Sequence, residues 1–261
     1  MRIYQVDSFT NELFKGNPAG VCLFVDEESE RWMQDLASEM NLSETAFLRK
    51  VEYGYELRWF TPTTEVDLCG HATLAAAHIL WEEGELAPDQ EARFMTKSGV
   101  LRATKMGSWI QLDFPMEEEE ETEAPQALLD GLGVPFLYVG KNRMDYLVEV
   151  ESEEVLRSLQ PNLAILAQLP DRGVMVTCRS ADDRYDFVSR FFAPALGIDE
   201  DPVTGSAHCC LGPYWQRKLG KDEFTAYQAS QRGGVLKIKV DGRVYIRGQA
   251  QTVFGGKIHN A

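Results

Sequence analysis

The chain has 261 residues, 44% of them hydrophobic, with 41 acidic against 26 basic side chains and a formal net charge of −15 at pH 7. That length allows one large domain or two ordinary ones, and the composition is that of a globular protein. A chain this acidic is a poor ligand for nucleic acid, no apolar run approaches the ~20 residues of a membrane span, and MRIYQVDSFT lacks a signal peptide's basic start and apolar stretch; the five scattered cysteines are no disulfide framework, so a cytoplasmic location is expected.

Ile3 to Val6 and Val21 to Val25 read as short strands, separated by Gly16-Asn17-Pro18-Ala19-Gly20, which holds turn formers only. Glu28 to Met40 predicts an amphipathic helix, with Trp32, Leu36 and Met40 recurring every four residues behind an acidic first turn. Glu44 follows in Asn41-Leu42-Ser43-Glu44-Thr45-Ala46-Phe47, between that helix and an apolar strand. Leu57 to Phe60 reads as a strand ending before Pro62. Asp67-Leu68-Cys69-Gly70 then leads into His71 to Trp81, apolar nearly all round and Ala-rich, as expected of a helix buried on every side. Val100 to Lys105 and Trp109 to Phe114 flank Met106-Gly107-Ser108 as a hairpin.

Near mid-chain, five successive glutamates, Glu117 to Glu121, repel one another, and residues 117–125 read as a solvated linker. Beyond it, Val188 to Phe192 is a strand before Pro194. Asp201-Pro202-Val203-Thr204-Gly205 leads into a helix from Ser206 to Leu219, which Pro213 is expected to break or kink. Val235 to Val240 and Arg243 to Arg247 flank Asp241-Gly242, a strong hairpin dipeptide.

The two halves match in order. Arg58-Trp59-Phe60-Thr61-Pro62 is echoed by Arg190-Phe191-Phe192-Ala193-Pro194 at an offset of 132; Asp67 and Asp201 are 134 apart. Gly70-His71-Ala72 with Gly205-Ser206-Ala207, Gly99-Val100-Leu101 with Gly234-Val235-Leu236, and Gly107 with Gly242 are all offset by 135. An ordered series of this kind implies an internal duplication, too long in period for a solenoid. The expected fold class is α+β: two pseudo-symmetric lobes facing a common cleft, each a mostly antiparallel sheet rolled around a central apolar helix. The N-terminal lobe is read over 1–116 and the C-terminal lobe over 126–248.

Each matched junction places glycine and small or polar residues at a helix start, where unpaired amides and a partial positive charge suit a carboxylate. Glu44, Asp201 and His71 are the acid–base candidates beside these junctions. His71 stands out as the histidine at a glycine-flanked helix start, though a satisfied buried imidazole would read the same. Cys69 precedes the first helix, where a thiol's pKa is lowered. His208-Cys209-Cys210 point in different directions along a helix, and no CxxC, HExxH or phosphate-binding glycine loop occurs; neither metal nor nucleotide cofactor is expected.

The series Asp7-Ser8-Phe9, Gly16-Asn17-Pro18-Ala19, Ser43-Glu44-Thr45, Cys69-Gly70-His71-Ala72-Thr73, Asp201-Pro202-Val203-Thr204-Gly205-Ser206-Ala207 and Gly233-Gly234 resembles the PhzF (phenazine-biosynthesis) family, which shares its fold with diaminopimelate epimerase and proline racemase. The resemblance covers essentially the whole chain. It implies that Glu44 is the general acid/base, that Asp201, His71 and Ser206 pass protons and bind polar groups, and that Asn17, Gly70, Ala72, Thr204, Gly205 and Ala207 line the substrate site. It further implies that the last strand, about 249–261, returns to the first lobe, and that the protein is a homodimer. Diaminopimelate epimerases carry a cysteine before each helix-starting glycine. Here Cys69 holds the first place and Thr204 the second, and an alcohol cannot replace a thiolate base. Glu44 is therefore the better candidate base, with Cys69 left as packing or as a second acid. The expected activity is a cofactor-independent isomerase or epimerase of a small carboxylic or amino acid in a biosynthetic process. The alternatives are a non-catalytic carboxylate-binding protein and a thiol-dependent racemase using Cys69.

Overall fold

In the computed structural model, residues 1–24 and 28–259 are described; Val25 of the second predicted strand and the last two residues of the predicted C-terminal strand lie outside them. The chain divides into two compact units, Met1–Asp113 with Arg247–Ala261, and Phe114–Ile246. The first is built from β1 (Arg2–Ser8), β2 (Asn17–Phe24), α1 (Glu30–Met40), β3 (Glu44–Val51), β4 (Gly54–Phe60), β5 (Glu65–Val66), α2 (Gly70–Glu82), β6 (Ala92–Thr96), β7 (Gly99–Met106) and β8 (Trp109–Phe114). The second holds β9 (Glu120–Glu121), α3 (Gln126–Leu132), β10 (Tyr138–Lys141), β11 (Asp145–Glu149), α4 (Glu153–Ser158), α5 (Leu163–Leu166), β12 (Gly173–Arg179), β13 (Phe187–Phe192), α6 (Gly205–Leu219), β14 (Glu223–Gln228), β15 (Gly234–Val240) and β16 (Val244–Gly248). The last strand, β17 (Ala250–Lys257), pairs antiparallel with β1. The fold is α+β.

The sheet of each unit repeats one pairing scheme. In the first, β2 runs parallel to β3, β3 antiparallel to β4, β4 parallel to β6 and β6 antiparallel to β7. In the second, β11 and β12, β12 and β13, β13 and β14, and β14 and β15 follow the same sequence of directions. The pairs match residue for residue: Phe60 faces Thr45 where Phe192 faces Val174, so Glu44 of β3 corresponds to Gly173 of β12.

Helix α2 fills the core of the first unit. From His71 to Ala77, and at Ile79 to Trp81, its side chains are buried, which its run of alanines allows by letting backbone approach sheet closely. Outside the sheet, α1 lays Met33 and Ala37 on Cys22, Phe47 and Phe60. In the second unit, α3 to α5 cover the outer face of β11 to β13 through Leu128, Leu156 and Leu166 against Val148, Val176 and Val188. The repeated arginines of the two halves explain themselves here. Arg58 forks onto Glu65 (2.7 and 2.8 Å) and lies 5.2 Å from the Phe60 ring; Arg190 forks onto Glu200 (2.7 and 2.9 Å) and lies 4.8 Å from Phe192.

Three sequence expectations change. Helix α6 runs unbroken through Pro213. A proline there leaves the carbonyl of Cys209 without its helical donor, and the Glu117 amide supplies a replacement at 3.1 Å. The acidic run is more than a solvated linker: Glu118 and residues 120–123 are exposed, but Glu120–Glu121 pair with Gly140–Lys141, and the Glu119 carboxylate is buried against Arg217. The like charges are tolerated because the strand alternation and Arg217 separate them. The presumed turn 16–20 also differs, since Asn17 already begins β2 and only Gly16 turns, at φ 64°.

A Cβ on Gly16 would stand 2.1 Å from the Ser8 carbonyl oxygen, whereas Gly107, at φ 66°, faces open space. We expect Gly16→Ala to lower unfolding free energy by about 3 kcal/mol and Gly107→Ala by only about 1 kcal/mol in urea titrations. Equal losses would show that the Ser8 carbonyl imposes no constraint.

Candidate active site

The catalytic candidates of the first unit converge where β1, β2, β3 and α2 end or begin. Ser8 closes β1, Asn17 opens β2 opposite it, Glu44 opens β3 beside Ala19, and His71 is the second residue of α2. The Ser8 hydroxyl donates to the His71 carbonyl at 2.8 Å, tying strand end to helix start. The His71 ring then stands between three groups. Asn17 Nδ2 approaches Nδ1 at 3.2 Å and Cys69 Sγ approaches the same nitrogen at 3.6 Å. Glu44 Oε2 lies 3.3 Å from Nε2, close but off the hydrogen-bond axis.

With the Asn17 amide so oriented, Nδ1 accepts, and Nε2 carries the ring proton on the side of Glu44. Burial pushes the His71 pKa down to about 3. The imidazole is thus a neutral donor at ordinary pH. Glu44, Cys69 and His71 also present their donor atoms within 4.8 Å of one another, the combination in this site that could hold a metal ion. Carboxylate and thiol lie nearest opposite nitrogens of the ring, Oε2 3.3 Å from Nε2 and Sγ 3.6 Å from Nδ1. The three groups form a contiguous carboxylate–imidazole–thiol row.

Gly70 and Ala72 flank His71 in the first turn of α2. Cys69 is the N-cap and gives no side-chain cap, and the first intrahelical bond runs from Thr73 N to Cys69 O at 3.2 Å. The amides of residues 70–72 therefore have no acceptor within the helix. Thr73 Oγ1 returns to the same Cys69 carbonyl at 2.5 Å.

In the second unit, Gly205, Ser206 and Ala207 open α6 behind an N-cap, Thr204, that likewise gives no side-chain cap. The Thr204 hydroxyl instead donates to Asp201 Oδ2 at 2.6 Å. His208 Nδ1 meets the Thr204 carbonyl at 2.8 Å, the counterpart of the Thr73 bond. Burial pushes His208 down to about 4.

Two groups not singled out in the sequence complete this half. Gln228 is fully buried: its Oε1 accepts from Thr204 N (2.8 Å) and its Nε2 donates to the Asp201 carbonyl (2.7 Å), fixing the loop between them. A usable signal was present, because Phe224, Ala226 and Gln228 share the inward face of β14 and only the last is polar. The other is Arg172, whose Nη1 donates to Ser206 Oγ at 3.0 Å while Nε and Nη2 fork onto Asp145 at 2.9 and 2.5 Å. Within each unit the candidates are thus assembled: Glu44, His71, Asn17 and Cys69 in the first, Asp201 with Thr204 in the second. Ser206 attaches to a separate partner, Arg172.

A family model described as phenazine biosynthesis-like protein matches residues 6–256. The chain is 59% identical over 258 residues to an uncharacterized isomerase of Halalkalibacterium halodurans, covering 98% of this chain and 97% of that one. A crystal structure of a PhzF-family phenazine biosynthesis protein from Enterococcus faecalis superposes with TM-score 0.95 at 41% identity, over 99% of each chain. A probable proline racemase from Agrobacterium radiobacter shares the fold alone, with TM-score 0.65 at 12% identity, over 99% of this chain and 92% of the other.

Both buried imidazoles stay neutral when folded but titrate near 6.5 when unfolded. Between pH 6.5 and 5 the unfolded chain takes up protons that the native state refuses, so stability falls as pH falls. Each histidine contributes roughly 1 kcal/mol per pH unit at the lower end of that window. Urea unfolding at several pH values should show this slope, and His208→Phe should remove its share; an unchanged slope would place a proton on native His208.

Proposed function

The chain belongs to the phenazine biosynthesis-like protein family, and on that premise we propose that it moves a proton on a small carboxylic or amino acid, with Glu44 as the group that takes and returns it. It is an isomerase, like the named relatives. The observation that carries the assignment of Glu44 is its contact with the neutral Nε2–H of buried His71 at 3.3 Å. A carboxylate set beside an uncharged N–H, rather than paired with a cation, keeps enough proton affinity to act as a base, and once protonated it is the acid for the return step.

A C–H bond beside a carboxylate loses its proton only if the developing negative charge is stabilised. The amides at the start of α2, next to Glu44, suit that role, since they point along the positive end of the helix. In the second unit, Asp201 and Ser206 are assigned to binding polar groups, and Asn17 and Thr204 support His71 and Asp201 through the bonds described. The step balances simply: the C–H pair stays on the carbon skeleton as an enolate-type anion while Glu44 holds the proton, and the same proton returns to that carbon's other face or to a conjugated carbon.

The 3.6 Å contact of Cys69 with His71 Nδ1 favours one subsidiary role for the thiol, as a second acid relaying through the ring. A thiol pair is not available, because Thr204 holds the matching place and its hydroxyl is committed to Asp201.

Incubation in heavy water with a panel of small α-amino and unsaturated carboxylic acids, followed by proton NMR, tests the reading. We expect deuterium incorporation into at least one acid, a loss of more than 1,000-fold in Glu44→Gln, and a change in unfolding free energy below about 1 kcal/mol for that partly exposed side chain. Undiminished exchange in Glu44→Gln would remove Glu44 from the mechanism. Cys69→Ala separates the roles of the thiol: full exchange leaves it as packing, and abolished exchange makes it the proton carrier instead.

A further inference from the structure

The registers of the two sheets set the residues of one unit against those of the other. Glu44 opens β3, and its counterpart opening β12 is Gly173. No side chain fits there: a Cβ on Gly173 would stand 2.6 Å from the Phe191 ring and 2.7 Å from the Phe192 carbonyl. The second unit therefore has no carboxylate to match Glu44. Arg172, one residue earlier, reaches the helix start in its place, and the residue it touches, Ser206, is the counterpart of His71. One unit sets a carboxylate against its helix start and the other a guanidinium.

Arg172 is held firmly. Asp145, 1% exposed at the side chain, takes the two-pronged bond. Asn142 Oδ1 accepts the amides of Met144 and Asp145 at 2.9 and 2.7 Å, and the Arg172 amide donates to the Met144 carbonyl at 2.9 Å. The Phe191 ring lies 5.4 Å below the guanidinium. Burial alone would lower the Arg172 pKa, but the bonds to Asp145 outweigh it and keep the group charged. Three N–H groups are spent on Asp145 and Ser206; Nη1 and Nη2 each carry one more, on a side chain still 27% exposed. A structural ion pair of this kind has no need of a link to Ser206.

We infer that Arg172 is a substrate-recognising residue: its remaining N–H groups take a carboxylate of the substrate, while its bond to Ser206 Oγ turns the serine proton toward the same carboxylate. The inference rests on the reading of Ser206 as substrate-binding, and makes the acid, rather than its amide or ester, the required form. A guanidinium and a hydroxyl that both donate match a carboxylate's lone pairs, whereas a primary amide offers one oxygen and two competing donors.

Benzoate and benzamide, equal in shape, serve as probes in titrations followed by heteronuclear NMR of protein labelled at the arginine side chains. Wild type should bind benzoate at least tenfold more tightly than benzamide and shift the Arg172 Nε signal. Arg172→Lys keeps the charge but loses the fork, and benzoate affinity should fall about tenfold. Arg172→Met alone would leave Asp145 buried and unpaired, so the double variant Arg172→Gln with Asp145→Asn is the measurement that keeps the test clean, with folding checked by circular dichroism. It should abolish the preference for benzoate. A purely structural pair would leave that preference intact in the folded double variant, and this result, or no preference in wild type, overturns the inference. Glu44→Gln in the same titration should retain the preference, so a failed proton-transfer assignment and a failed Arg172 assignment give different results.

Discussion

A helix buried on every side must still place the amides of its first turn and the carbonyl of its N-cap. Surface helices do this with a Ser, Thr, Asp or Asn side chain at the cap, as Ser29 does for α1, where its hydroxyl accepts from Trp32 N at 3.2 Å. The two core helices do not. Their caps, Cys69 and Thr204, hold extended backbone and make no side-chain cap bond. What is satisfied from within is the N-cap carbonyl, by Thr73 in one helix and His208 in the other, each four residues on. Both helix starts thus keep their amide face unoccupied by their own caps, and the candidate catalytic residues are the side chains gathered around those two starts.

The same scaffold carries different chemistry in its two copies. Strand directions, the Arg–Glu fork beside a phenylalanine and the back-bonded cap are shared, because they concern packing and the closing of polar groups. The groups at the helix starts diverge: Glu44, His71 and Cys69 against Gly173, Ser206 and Thr204. The divergence is structurally enforced at Gly173, where the Phe191 ring occupies the space a side chain would need. A duplicated fold with a carboxylate at one helix start and a guanidinium at the other is symmetric in frame and asymmetric in the groups it presents.

Much of this frame was legible in the sequence. Buried helices announce themselves by apolar residues all round, hairpins by Gly107 and Asp241-Gly242, and the duplication by matched residues such as Arg58 and Arg190 whose bonding partners the sequence did not reveal. The failures are of one kind. Pro213 and the glutamates 117–121 were each read locally, as a helix breaker and as a repelling charge run, yet each resolves part of the other: the Glu117 amide takes the carbonyl that Pro213 leaves without a donor. Gln228, Asp145 and Arg172 are polar residues far apart in the chain whose roles exist only once folding brings them together. Local propensity cannot reveal a long-range partner. Glu44 and His71 were singled out as candidates, but their contact, and the tautomer that follows from Asn17, could not be.

On the proposed reading, the neutrality of His71 is what makes that contact useful. A cationic imidazole 3.3 Å from Glu44 would bind the carboxylate as an ion pair and suppress its affinity for a proton, which suits a structural bridge and disables a base. Full burial keeps the ring uncharged, and with Asn17 Nδ2 at Nδ1 the ring proton sits on Nε2, so Glu44 lies beside a neutral N–H rather than in an ion pair. In the second unit the opposite solution holds: Arg172 cannot lose its charge, and it is matched by a buried carboxylate that orients it without discharging it. On the proposed reading, the group that exchanges protons lies beside a neutral partner, and the group that stays charged is held by a charged one. The net charge of −15 has no bearing on either arrangement, because both are settled within a few ångströms and out of bulk water.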